Sequence, residues 1–183
     1  FTTNPSLMRK AGAKDYSLYT KSILKITKKP VSCEVFADDI NSMIKQGKEI
    51  STWGKNLYVK VPITNSKGKY MSKVIRNLNN NNIKLNITAV YTSMQTRQIL
   101  RNINKKTKVI ISIFAGRMAD SGIDPIPIFK DSIKFASKFR NVQIFPLHMV
   151  LARTCVHFPF VQTEVCWWHS QHSNVCICST VSM

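Results

Sequence analysis

At 183 residues, 44% apolar and 20% charged, the chain has the length of one ordinary domain and can bury a core, which excludes a disordered or collagen-like polymer. No apolar run approaches the roughly 18 residues that cross a bilayer, so a membrane-spanning helix is excluded as well. The 27 Lys and Arg against 9 Asp and Glu, a net charge of +18, bring nucleic acid or an anionic surface to mind as a partner.

The opening Phe1-Thr2-Thr3-Asn4-Pro5 is neither a methionine start nor a signal peptide, and reads as a chain entered mid-domain. Tyr16, Tyr19, Ile23 and Ile26 then fall at helical spacing, with Pro30 as the stop. Residues 31–36 and 56–63 are short, β-branched-rich and flanked by turn residues, and read as strands. Met71, Val74, Ile75 and Leu78 mark a helix, residues 83–90 a strand, and Ile99, Leu100 and Ile103 a further helix. A strand at 108–114, a helix carrying Phe129, Ile133 and Ala136, and a strand at 141–145 complete the series. Such alternation means parallel strands joined by right-handed crossovers, an α/β fold.

The strands favour a closed barrel over an open sheet. Side chains alternate faces with period two. Leu57, Val59, Val61 and Ile63 therefore share one face, opposite Tyr58, Lys60 and Pro62. Leu85, Ile87 and Ala89 oppose Asn86 and Thr88, and Cys33 and Val35 oppose Ser32 and Glu34. In a (β/α)₈ barrel the apolar faces meet the helices, and the polar groups converge inside near the C-terminal rim. A sheet covered on both sides has no cheap place for them.

Lys60 is the sharpest residue of that set. Flanked by Val59 and Val61, its amine sits in a confined strand position. Burial disfavours the charged ammonium and frees the amine to attack a ketone carbonyl. The alternative is a strand-end lysine snorkelling to water. Neighbouring strands that bring a carboxylate (Glu34), an amide (Asn86) and hydroxyls (Thr88, Ser112) favour the nucleophile.

Several segments stand in a fixed order: Phe-Thr-Thr-Asn-Pro-Ser-Leu (1–7), Val-Ser-Cys-Glu-Val (31–35), Val-Lys-Val-Pro-Ile-Thr (59–64), Ile-Lys-Leu-Asn-Ile-Thr-Ala-Val-Tyr-Thr (83–92) and Ser-Ile-Phe-Ala-Gly-Arg-Met-Ala-Asp (112–120), then Gly122 and Asp124-Pro125. Together they resemble the transaldolase family of Schiff-base aldolases over residues 1–145. The resemblance implies a barrel in which Lys60, on strand four, forms the Schiff base with a donor ketose. It implies Glu34 on strand three as the proton relay, with Thr88 and a water. Asn4 and Asn86 hold substrate hydroxyls, Ser112 lies close by, and Arg117 takes the sugar phosphate, as a guanidinium fork suits a phosphate dianion. Close relatives that only cleave fructose 6-phosphate tend to carry Gln where Glu34 stands and Tyr where Phe114 stands, so both positions follow the transferase. The implied reaction moves a dihydroxyacetone unit from a ketose phosphate to an aldose phosphate in the cytoplasm, within the pentose phosphate pathway. No metal and no organic cofactor is implied. The partners are sugar phosphates, with neither nucleic acid nor membrane, and the full-length protein is expected to be a homo-oligomer.

Two parts of the family pattern are missing. The first-strand aspartate would precede Phe1, and the Ser/Arg phosphate contacts after strand seven are not found. Ala136-Ser137-Lys138-Phe139-Arg140 looks similar to the latter but precedes the strand at 141–145, so it receives no site role. The expected fold is thus an incomplete (β/α)₈ TIM barrel holding strands two to seven, without the first and last. Full barrels rarely fall below about 200 residues. Unclosed, the barrel exposes two sheet edges, and this chain by itself is expected to be an inactive fragment.

Composition changes after residue 145. Residues 1–145 hold all bases but Arg153 and all acids but Glu164, while 146–183 hold every His and all Cys but Cys33. Cys155, Cys166, Cys176 and Cys178 lack the paired spacing of structural zinc knuckles. A frame slip accounts better for this non-matching tail: read one nucleotide later, codons for His148 to Arg153 are compatible with Ile-Trp-Ser-Ser-Arg-Glu, similar to a family stretch. Within residues 1–145 the densest basic clusters are Lys25-Ile-Thr-Lys28-Lys29 and Asn104-Lys105-Lys106-Thr-Lys108. Neither carries the interleaved aromatics of a base-stacking platform. A solvated lysine-rich surface is expected, with a basic nucleic-acid-binding module as the rival.

Overall fold

A computed structural model describes residues 1–10 and 12–147. Two helices, α1 (Pro5–Lys10) and α2 (Tyr16–Ile26), precede β1 (Val31–Glu34). Then follow α3 (Ile40–Ser51), β2 (Leu57–Pro62), α4 (Ser72–Asn80), β3 (Leu85–Val90) and α5 (Ser93–Leu100). The series continues with β4 (Val109–Ile113), α6 (Ala115–Asp120), α7 (Ile126–Ala136) and β5 (Val142–Pro146). All five strands are parallel and lie in chain order, β1-β2-β3-β4-β5. Residues ahead of α1 extend this sheet by a single bridge, Thr2 beside Ser32.

Local chemistry explains where the helices begin. The Asp15 carboxylate accepts from the Leu18 amide at 2.8 Å, and Asp39 does the same for Ser42 at 3.0 Å. Thr92 and Gln95 form a reciprocal capping box at the start of α5. Each cap satisfies amides that the first helical turn leaves without partners.

The apolar strand faces and the helices share one core. Val31, Cys33, Val59, Val61, Leu85, Ile87, Val109 and Ile111 pack with Met43, Ile50, Val74, Ile75, Leu78 and Ile99, all essentially inaccessible. Gly47 of α3 is where that packing is closest. A Cβ there would stand 2.7 Å from Leu78 Cδ1, so α3 and α4 approach only because position 47 has no side chain.

Three expectations need correction. Ala89 does not share the face of Leu85 and Ile87; Val90 does, fully buried. The register advances from Ile87↔Ile111 to Val90↔Ile113, so β3 holds one residue more than β4, and Ala89 takes a left-handed φ of 59°. This is a β-bulge, and it breaks strict alternation. In α7, Ile133 is exposed, whereas Ser132 is buried. Its hydroxyl pairs with that of Thr96 on α5 at 2.9 Å, so a polar pair sits where an apolar stripe was expected. In α2, Ile26 is 86% exposed and Thr20 is the buried residue, because the helix turns its last apolar position to solvent.

Candidate active site

The register of the sheet assembles the site. Glu34 lies directly across from Lys60, and Lys60 from Asn86. All three side chains share the sheet face opposite the core. The Lys60 ammonium stands 3.3 Å from Glu34 Oε2 and donates to the Thr3 carbonyl at 3.4 Å. Lys60 is buried, while the Glu34 side chain keeps 22% of its surface accessible. An amine and a carboxylate in this arrangement can exchange a proton, with the carboxylate still reachable from outside.

A second network continues on the same face. Asn86 Nδ2 donates to Ser32 Oγ at 3.0 Å, and Ser112 Oγ donates to Asn86 Oδ1 at 2.8 Å. Three strands are thereby tied through one amide. That amide keeps one N–H and one lone pair uncommitted, enough to hold a polar ligand group.

Thr88 occupies the same face one step toward the strand ends, and its hydroxyl is buried without a hydrogen-bond partner. Buried hydroxyls are seldom left so. The adjacent bulge at Ala89 fixes its direction, at the cost of a left-handed conformation that a residue with a Cβ rarely adopts. Strain beside an unpartnered polar group marks a place built for something other than stability.

The remaining expected residues ring the C-terminal ends of the strands. Asn4 follows the bridge to β1 and is half-buried. Phe114 caps β4, its ring edge-on to Tyr91 at 5.4 Å between centroids. Arg117 lies in the α6 turn beyond β4 and is exposed.

Some positions were not legible as part of the site. Ser32 anchors Asn86, and Thr3 meets Lys60 through a backbone carbonyl that no side-chain pattern reveals. Tyr16 is the most consequential. Beyond Thr3 the first residues leave the sheet, so the β1 edge at Glu34 loses its ladder partner. The Tyr16 hydroxyl takes its place: it accepts from the Glu34 amide at 2.8 Å and donates to the Glu34 carbonyl at 3.3 Å. Burial, with the Cys33 thiol close by, pushes the Tyr16 phenol far up, which keeps it the neutral donor this role requires. Burial also raises the Cys33 thiol, making it an inert core group.

The model of the transaldolase/fructose-6-phosphate aldolase family matches residues 1–176. The chain belongs to this family. A probable transaldolase from Roseiflexus castenholzii is 32% identical over 133 residues, covering 73% of this chain and 58% of the relative. Another from Thermoplasma volcanium is 36% identical over 161 residues, covering 82% and 68%. A third, from Clostridium acetobutylicum, is 34% identical over 132 residues, covering 72% and 57%. The chain thus spans less than two thirds of the first relative's length. The transaldolase-family match runs through the composition change at residue 146. The tail cysteines and the frame-slip reading lie outside the described residues. Among the described residues, no three His, Cys, Asp or Glu side chains gather into a metal site, and no helix is long and apolar enough to cross a membrane.

Proposed function

We propose that this chain carries the donor half of a transaldolase site, and that the whole protein transfers a dihydroxyacetone unit from a ketose phosphate to an aldose phosphate. The reading rests on one observation above all: a buried lysine amine 3.3 Å from a partly accessible carboxylate, on a polar sheet face. Glu34 takes the ammonium proton of Lys60, and the free amine adds to the ketose carbonyl. The resulting carbinolamine loses its hydroxyl as water, protonated through Glu34, Thr88 and a bridging water, and leaves a Schiff base on Lys60. Asn4, Asn86 and Ser112 hold substrate hydroxyls, and Arg117 holds the phosphate. The sheet, with the bridge at Thr2, is read as strands two to seven of a (β/α)₈ barrel. The setting is the cytoplasm and the pentose phosphate pathway, with a homo-oligomer as the working form.

Phe114 supports the transferase over simple aldol cleavage. A phenyl ring offers no proton to the bound enamine, which then waits for an aldehyde; a phenol would release it as dihydroxyacetone.

Borohydride reduction of the full-length protein in the presence of fructose 6-phosphate is the test. The expected result is a covalent adduct at Lys60, located by peptide mass. An unmodified Lys60 under conditions where another lysine is trapped overturns the assignment. In the full-length protein, Phe114→Tyr is expected to raise dihydroxyacetone release relative to transfer onto erythrose 4-phosphate.

A further inference from the structure

The opposite end of the sheet holds a different feature. A cleft of about 700 Å³ opens among the loops that enter β1 to β4. Lys28 lines it ahead of β1, Lys55 ahead of β2, Lys84 ahead of β3, and Lys106 and Lys108 ahead of β4. The fold therefore gathers the two basic clusters of the sequence, remote along the chain, onto one concavity. Among the described residues no Asp or Glu lines it, and none of the five ammonium groups has a carboxylate at ion-pair distance.

We propose that this cleft binds a small molecule bearing a chain of phosphates. Five like charges around a concave surface repel one another and focus a positive potential into it, which an anion of high charge density relieves. A single phosphate dianion matches few of the ammonium groups, whereas a di- or triphosphate reaches several at once. The cleft has the size of a small-molecule site, roughly 300–1,000 Å³. Lys84 is already oriented, its ammonium bonded to the Lys55 carbonyl and 5.6 Å above the Tyr58 ring. That ring is only 6% exposed, so it offers no platform for stacking the bases of a single strand. A second copy of this chain, with 9 acids against 27 bases, is a poor source of the complementary charge. The cleft and Lys60 lie toward opposite ends of the strands, so occupancy here leaves the amine site open.

Calorimetric titration of the full chain with inorganic tripolyphosphate, ATP, orthophosphate and a single-stranded oligonucleotide tests the proposal. Tripolyphosphate and ATP are expected to bind competitively and more tightly than orthophosphate, with affinity falling as salt rises. The triple variant Lys28→Gln, Lys106→Gln, Lys108→Gln should weaken tripolyphosphate at least tenfold. Lys45→Gln, Lys73→Gln, Lys134→Gln removes the same charge from exposed helix positions and should leave the affinity nearly unchanged, as should Lys60→Met. Equal losses in the two triple variants would overturn the proposal, because net charge and not the cleft would then be read. So would tripolyphosphate binding no tighter than orthophosphate, or an oligonucleotide that binds and is not displaced by tripolyphosphate.

Discussion

The two ends of the sheet solve the same problem in different ways. Both are crowded with polar side chains on buried or half-buried positions. At the strand starts, asparagines bond to backbone. Asn56 Nδ2 reaches the Thr27 and Lys29 carbonyls at 2.9 and 2.8 Å, and Asn141 Nδ2 reaches those of Asn104 and Thr107 at 2.9 and 2.7 Å. Asn79, fully buried, accepts from the Asn104 amide at 2.7 Å. On the polar face that runs from there to the strand ends, side chains bond to each other: Lys60 to Glu34, Asn86 to Ser32 and Ser112. A side chain that bonds a loop's backbone holds that loop in one shape. A side-chain network on rigid strands holds its groups in fixed positions without depending on a loop, and that precision is what chemistry requires. Among the described residues four buried polar atoms lack a partner: Asn79 Nδ2 and Asn141 Oδ1 are second atoms of amides already engaged, whereas the Thr2 and Thr88 hydroxyls have no partner at all.

Exchange of function for stability should therefore separate cleanly between the two ends. The largest effect is expected from Lys60→Met, which keeps most of the side-chain volume and removes the amine. In the full-length protein adduct formation should vanish, while the urea midpoint moves little. A variant that still traps ketose at the wild-type rate would place the nucleophile elsewhere. Asn79→Ala is the converse. It leaves the Asn104 amide unpaired in a partly buried place and should cost about 1 kcal/mol of unfolding free energy. Adduct formation by the folded fraction should stay at the wild-type rate. Loss of both together would erase the distinction between the two ends.

Tyr16→Phe sits between these extremes, because it touches the reacting carboxylate only through its backbone. Removing one oxygen leaves the ring packing on Phe36 and Trp53, at 4.6 and 5.7 Å, in place. A displaced Glu34 should slow adduct formation roughly tenfold, since geometry governs proton transfer. The decisive control is the Glu34→Gln background. A positioning residue loses its effect there; a residue that merely loosens the fold slows both backgrounds alike. Amide exchange at Glu34 should also quicken in the variant.

Much of this division is legible in the sequence, for a simple reason. Period-two alternation in β1 and β2 puts Cys33, Val59 and Val61 on one side and Ser32, Glu34 and Lys60 on the other, and the structure keeps that arrangement. Periodicity fails where the backbone itself departs from regularity. The bulge at Ala89 exchanges Ala89 for Val90, and nothing in a run of Ile-Thr-Ala-Val announces a left-handed alanine. It fails again where polar groups pay their desolvation in pairs, as Thr96 and Ser132 do inside the α5–α7 contact. Tyr16 reads as an apolar position of α2, and its ring does pack. Its hydroxyl acts on a strand that only the tertiary fold brings near. The asparagines are the plainest case: abundant Asn reads as composition, yet each of these holds a particular loop.

The smallest expected effect tests whether the rim beside the site is held by charge. Asp38, in the loop after β1, accepts from the Ser66 amide at 2.8 Å and from its hydroxyl at 2.6 Å, and so pins the loop between β2 and α4. The hydrogen bonds from Ser66 hold its carboxyl below the usual aspartate range, although the group is fully exposed. The direction of the linkage follows from that lowering. A carboxyl whose folded value lies below its unfolded one contributes stability fully above the unfolded value, and loses it as pH falls through the folded value. Wild type should therefore exceed Asp38→Asn in Tm by a small, constant amount near neutrality. Below the ordinary aspartate range the gap should close, as the wild-type carboxyl takes up a proton and comes to resemble the amide. Salt should shrink the gap only slightly, because both contacts are short hydrogen bonds and not a long-range ion pair. A gap that stays constant into acid would mean that the loop is held by shape, with its charge irrelevant. One that widens in acid would require Asp38 to bind its proton more tightly in the folded chain than in the unfolded one, contrary to the contacts from Ser66.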